Sequence, residues 1–188
     1  MFKLFKFVLI LFLGVICCAC MNTAAVQELN KKAADYLEAG DIETAISRLE
    51  SSIDLDGNIY ESRYNLAVAY MQKKECQKAL DNIRIATTLI KNEPAVNYTH
   101  GVSAMCVAEK ILYTKNQFGD LEEVVFQTYD RKQEAIKRYV ELITEANQNF
   151  NIYLKLAPTA EDSQDVISIV RKNEAKIAEL TDSTDTIE

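Results

Sequence analysis

The stretch 63-RYNLAVAYMQKKECQKAL-80 carries Ala67, Tyr70 and Ala79 where an ordinary amphipathic helix would carry Leu. The chain answers the oddity by repeating it. Shifted by 34 residues, Ala33 falls on Ala67, Tyr36 on Tyr70, Ala45 on Ala79, and Gly40 on Lys74 at a turn. A further shift takes Tyr64 to Tyr98, Ala67 to Gly101, Val68 to Val102 and Met71 to Met105. Small residues recurring once per helix let two antiparallel helices approach closely; a Leu in their place would overpack the contact, at a cost of about 1–3 kcal/mol. Tyr36 and Tyr70 then act as wedges between one helix pair and the next.

A period of 34 built from helix pairs resembles the tetratricopeptide repeat. The resemblance covers nearly all of the chain after its first 19 residues. It implies an all-α, TPR-like α–α superhelix of about three helical hairpins, the third extended, plus a C-terminal capping helix. The first two units occupy 20–94, with helices expected over 24–39, 42–55, 59–72 and 75–90. Gly40 stops the first helix and Asp41 caps the second. The third unit, 95–158, departs from the pattern. Its first helix runs on through 101-GVSAMCVAEKILYTKNQ-117, an insert holding "GDLEEVVF" follows, and a long helix over 131–156 ends in "ANQNFNIYLKLAP". Ala146, Phe150, Tyr153, Leu154 and Pro158 in that ending sit at the family's second-helix spacing. Residues 159–180 read as a helix covering the end of the stack, and 181–188 as a disordered, polar tail. No run alternates apolar and polar residues as a half-buried strand would.

The leader, 1-MFKLFKFVLILFLGVICCACMN-22, stands apart from the fold. Its apolar run is short for a bilayer span, which needs about 20 residues, so it reads as an export signal over 1–19. "ICCAC" resembles a lipoprotein cleavage motif, with Cys20 as the lipidated residue and Cys18 as the alternative. A plain signal cut after Ala19 and an uncleaved anchor are the rival readings. Met21 does not resemble the Asp that retains lipoproteins at an inner membrane. The expected address is therefore the bacterial cell envelope, lipid-anchored at the outer membrane and facing the periplasm.

Loss of Lys3 and Lys6 with the leader leaves the chain two charges more negative than its full-length −7. Such an acidic surface disfavours nucleic acid and anionic headgroups as partners. Only Cys76 and Cys106 follow the leader. Buried free thiols are the expectation for them, a disulfide the alternative.

The resemblance implies a concave face lined by the first helix of each unit. There it places Gln27, Asn30, Ala34 and Leu37 of unit one, Glu61, Tyr64, Val68 and Met71 of unit two, and Tyr98, Val102 and Met105 of unit three. Tyr–Val–Met recurs in the last two, an apolar stripe with Met for adaptability and Tyr for anchoring. The stripe reads either as a docking surface for other envelope proteins or as packing against the long third hairpin. Some members of the family hold a partner's C-terminal carboxylate at positions matching Asn30, Ala34, Asn65, Ala95 and Thr99. Only Asn65 fits, so that mode is not expected. A carrier enclosing a small hydrophobic ligand between Tyr64, Val68, Met71 and Tyr98 is a second reading. Ile136, Tyr139, Val140 and Ile143 form a ridge suited to a core or to a homo-oligomer contact.

Nothing in the pattern reads as catalytic, and no cofactor or metal is expected. The only histidine, His100, sits where the previous repeat has Leu66. It is separated from Cys106 by about 600° of helical rotation, on a different face. Phosphate loops, C-x-x-C beyond the leader and H-E-x-x-H are absent from the sequence.

Overall fold

In a computed structural model the described residues are 23–115 and 120–185. Cys20, its alternative Cys18, the rest of the leader and residues 186–188 lie outside them. Helix α1 spans 23–38. It is followed by α2 (Ile42–Leu55), α3 (Tyr60–Gln72), α4 (Cys76–Leu89) and α5 (Pro94–Leu112). Two three-residue strands come next, β1 (Tyr113–Lys115) and β2 (Leu121–Glu123), then α6 (Tyr129–Leu156) and α7 (Ser163–Asp185).

The repeat is written into the backbone hydrogen bonds. At the end of α1 the Gly40 amide donates to the Leu37 carbonyl and the Asp41 amide to the Tyr36 carbonyl. At the end of α3, 34 residues later, the Lys74 amide donates to Met71 and the Glu75 amide to Tyr70. Both turns are the same Schellman closure, which needs a left-handed residue after the helix. Gly40 supplies it at φ 79° and Lys74 at φ 61°. The next equivalent position is Ala108, which is helical and buried, and α5 runs one turn further to Leu112. The Asp41 carboxylate accepts the Thr44 amide at 3.2 Å, capping α2.

All five small residues of the period are buried: Ala33, Ala45, Ala67, Ala79 and Gly101. A Cβ built on Gly101 would lie 2.6 Å from the Phe150 ring, which sets how closely α5 and α6 approach. Tyr70 is buried and Tyr36 half-buried. Among the described residues two clusters form the interior. The smaller joins units one and two through Ala33, Leu49, Leu66 and Ala79. The larger, containing Ile83, Leu142, Phe150 and Val166, ties α4 to α7. Ile136, Tyr139 and Ile143 belong to it, so most of the candidate oligomer ridge is core.

Four expectations need correction. The insert begins at Tyr113, not Phe118, and it is stranded: β1 and β2 pair antiparallel with Tyr113 opposite Glu123. Three residues per strand are too few to show an alternating pattern. Phe118 and Gly119 lie outside the described residues. The tail from 181 is not disordered through 185; α7 continues to Asp185. No Gly or Pro interrupts it, and the Thr181 hydroxyl bonds back to the Ile177 carbonyl at 3.0 Å. Cys76 and Cys106 are not free thiols but a disulfide, with Cα atoms 5.6 Å apart. It staples the start of α4 to the second half of α5.

Candidate partner-binding groove

Successive first helices touch one another. The Asn30 side-chain amide on α1 donates to the Ser62 hydroxyl on α3 at 2.8 Å, and Asn65 on α3 donates back to Asn30 at 3.3 Å. Asn30 also reaches Ser52 on α2 at 3.2 Å, and Ser52 meets Ser62 at 2.8 Å. Ser52 and Ser62 are fully buried, so this polar knot satisfies groups that would otherwise be costly. Asn65, the one position matching the carboxylate-holding pattern, is thus tied into the fold. Ser52 could have been found in the sequence: it stands where the next repeat has Ala86.

The six stripe residues, Tyr64, Val68, Met71, Tyr98, Val102 and Met105, are all half-buried. The Tyr98 ring packs on α6, 6.0 Å from Phe150 and 5.3 Å from Tyr153, both tilted. Tyr64, Val102 and Met105 also lean on the larger cluster, and Met71 on the smaller. Val68 joins neither. Met105 meets α7, where the Asn173 amide lies 3.6 Å from its sulfur and donates to Asn147 at 2.7 Å. The stripe therefore both packs and faces outward: its inner edges anchor the stack and its outer edges stay open.

A second constellation escaped the sequence reading. Arg84 on α4 holds Glu145 on α6 in a bidentate pair at 2.7 and 2.6 Å. His100 Nε2 on α5 lies 2.7 Å from the same carboxylate, and Nδ1 lies 2.9 Å from the Thr87 hydroxyl. The Arg84 pair pulls the Glu145 carboxyl down to about 2, with His100 adding to it. Burial lowers the His100 pKa, against the pull of Glu145. Thr87, His100 and Glu145 touch in the order of a hydrolytic triad. Here, though, the Thr87 hydroxyl also lies 2.8 Å from the Ile83 carbonyl and Arg84 occupies the carboxylate. The arrangement ties three helices together. In sequence Arg84 and Glu145 read as ordinary surface charges and His100 as a packing or groove-edge residue in place of Leu66, and no spacing rule links 84, 100 and 145.

Among the described residues no group of three or more His, Cys, Asp or Glu is placed to hold a metal ion, and no helix is long and apolar enough to cross a membrane. The three described clefts are lined elsewhere than Tyr64, Val68, Met71 or Tyr98.

The architecture is an all-α superhelix like that of tetratricopeptide repeat (TPR) domains. No protein-family model matches the chain, and no curated protein matches its sequence. Solved structures do resemble it. The first TPR domain of human RPAP3 superposes with a TM-score of 0.57 at 17% identity, covering 84% of this chain and 96% of that one. The Arabidopsis OM64 TPR domain gives 0.56 at 17% identity, covering 80% and 98%. The Yersinia enterocolitica type III secretion chaperone SycD, solved with a peptide of the translocator YopD, gives 0.54 at 12% identity, covering 80% and 92%. At these identities the likeness is one of fold.

Proposed function

We propose that this chain is a lipid-anchored docking protein of the bacterial cell envelope. It holds segments of other envelope proteins on the face formed by α1, α3 and α5. The observation that carries the reading is the repeated Tyr–Val–Met register of α3 and α5, whose six side chains are each left half-exposed. Residues packed only for the core would be covered, as Leu66 and Val96 are. The SycD structure with its translocator peptide gives a precedent for this fold holding a partner's peptide. With Asn65 occupied and no cation at Ala95 or Thr99, affinity comes from apolar anchoring and not from a terminal carboxylate.

Export is supported by the leader and by the Cys76–Cys106 disulfide, a bond that persists in oxidising compartments. Lipidation at Cys20 and an outer-membrane, periplasm-facing address complete the proposal. Mass spectrometry of the mature N-terminus tests the anchor: a lipidated Cys20 is expected, and an unmodified terminus after Ala19 defeats it. Val68→Glu tests the groove, because Val68 belongs to neither core cluster. In crosslinking from intact membranes the variant should lose its partner bands while keeping wild-type thermal stability. Unchanged bands would defeat the docking reading.

A further inference from the structure

Outside residues 121–129, the exposed large apolar side chains among the described residues share one place in the repeat. Leu55 on α2, Ile85 and Leu89 on α4, and Ile152 and Leu156 on α6 all lie near the end of a second helix, each 36–43% exposed. Leu55, Leu89 and Leu156 are each the last residue of their helix. Ile85 and Ile152 stand one helical turn earlier, on the same faces as Leu89 and Leu156. A single exposed leucine is ordinary on a protein surface, but a row repeated at one position marks a surface that meets something apolar.

The helix pairing fixes where that row is. Asn30 near the start of α1, Ser52 near the end of α2 and Ser62 near the start of α3 bond to one another. Thr87 near the end of α4 meets His100 in the first half of α5, and Tyr98 packs on Tyr153 near the end of α6. The starts of α1, α3 and α5 and the ends of α2, α4 and α6 therefore share one edge of the stack. Gly40, Lys74 and the insert lie at the other.

The start of α1 is also where the chain leaves the described residues. Cys20 is three residues before Thr23, a span of at most about 10 Å. The far end of α1 lies about 24 Å further on. A lipid on Cys20 would therefore bring the edge with the apolar row down to the bilayer, and not the opposite one. This edge carries Lys91 and Lys155 against Asp54, Asp56, Glu93 and Glu161. Charge does not draw it to anionic headgroups, so its fit is to a zwitterionic surface.

We propose that the edge formed by Leu55, Ile85, Leu89, Ile152 and Leu156 rests on a bilayer of zwitterionic lipid and sets the orientation of the domain. The inference rests on the lipid anchor at Cys20 and adds a second, weaker point of contact. A domain already held at the surface meets the bilayer at high effective concentration, so shallow apolar contacts are enough to select one orientation. The face of α1, α3 and α5 then opens sideways along the membrane, toward neighbours in the same bilayer. The insert stands at the far end of α6, about 40 Å along that helix.

The test uses the full chain, purified with its lipid and reconstituted into phosphatidylcholine vesicles that contain a lipid with a nitroxide on its headgroup. Asn92→Cys places a fluorescent label in the turn at this edge, and Glu38→Cys places one at the opposite edge; Cys76 and Cys106 are already bonded to each other. The label at 92 should be quenched at least threefold more than the label at 38. Ile85→Glu combined with Ile152→Glu should make the two equal, while flotation with the vesicles and the melting temperature stay at their starting values. A photoreactive group in place of Leu89 should label lipid; a product with a second copy or another protein overturns the proposal. Equal quenching at 92 and 38 in a chain that still floats overturns the orientation and leaves the anchor standing. A quenching difference that survives both glutamates overturns the role of the row. An unlipidated terminus without flotation overturns the anchor, and this inference with it.

Discussion

Gly101 on α5 lies against the ring of Phe150 on α6 with no room for a methyl group: a Cβ there would meet three ring atoms at 2.6–2.8 Å. Phe150 is itself fully buried and cannot swing away. Gly101→Ala improves helix propensity by about 1 kcal/mol, yet it forces the two helices or the ring to shift, at a cost of about 1–3 kcal/mol. A lower urea midpoint is expected. A midpoint that rises would mean the α5–α6 contact is looser than the geometry requires.

Lys74 holds the left-handed position that Gly40 holds one repeat earlier, φ 61° against 79°. A residue with a Cβ is disfavoured there by about 1 kcal/mol or somewhat more, and both turns keep the same closure bonds. Lys74→Gly should therefore stabilise the fold by about 1 kcal/mol, and Gly40→Ala should destabilise it by a similar amount. Paired chemical denaturation of the two variants checks the sign of each. The Lys110 ammonium, which donates to the Lys74 carbonyl at 2.6 Å, retains its acceptor in the glycine variant.

These two sites also show what the sequence could and could not reveal. Ala67, Ala79 and Gly101 disclosed the helix pairs because close packing demands small side chains at a fixed spacing, and the demand recurs. The turn at 74 was legible only by alignment with Gly40, since Lys by itself signals no turn. The β1–β2 pair lies outside the repeat and is too short for periodicity to register. The disulfide depended on which faces of α4 and α5 meet, which two cysteines thirty residues apart do not encode. Arg84, His100 and Glu145 converge from three helices; the register marks His100 by setting it where the previous repeat has Leu66, but nothing local ties it to Arg84 or Glu145. The stripe from Tyr64 to Met105 was placed on the right helices by its register, while its sharing between core and solvent follows from α6 and α7 packing beside it.

The Cys76–Cys106 bond closes a loop with a sequence separation of 30. Constraining an unfolded chain over such a loop stabilises the folded state by about 3–4 kcal/mol in the chain-entropy treatment. Reduction, or Cys76→Ala with Cys106→Ala, should lower the melting temperature by several degrees while leaving helical content unchanged at 25 °C. Non-reducing peptide mapping should recover the two cysteines as one crosslinked pair. An identical melting temperature with and without reductant would remove the bond from the account of stability.

The tie among Arg84, Glu145 and His100 makes stability depend on pH in two steps of the same sign. His100 has a pKa lowered by burial from 6.5, so below that pH the unfolded chain binds the proton first and the folded state loses ground. Glu145 is held at about 2 against an ordinary 4.5; its contribution is complete above pH 4.5 and fades as pH falls toward 2. With the carboxylate side chain 25% exposed, the second step is worth about 2–3 kcal/mol. Other carboxylates also titrate in acid, so the informative quantity is the difference from a variant. Between pH 7.5 and 3.5, Glu145→Gln should lose less stability than the wild type, although it starts lower because Arg84 and His100 have lost their anion. His100→Gln should flatten only the part just below pH 6.5. Parallel wild-type and Glu145→Gln curves across the whole range would show that this carboxylate is no better stabilised in the fold than in the open chain.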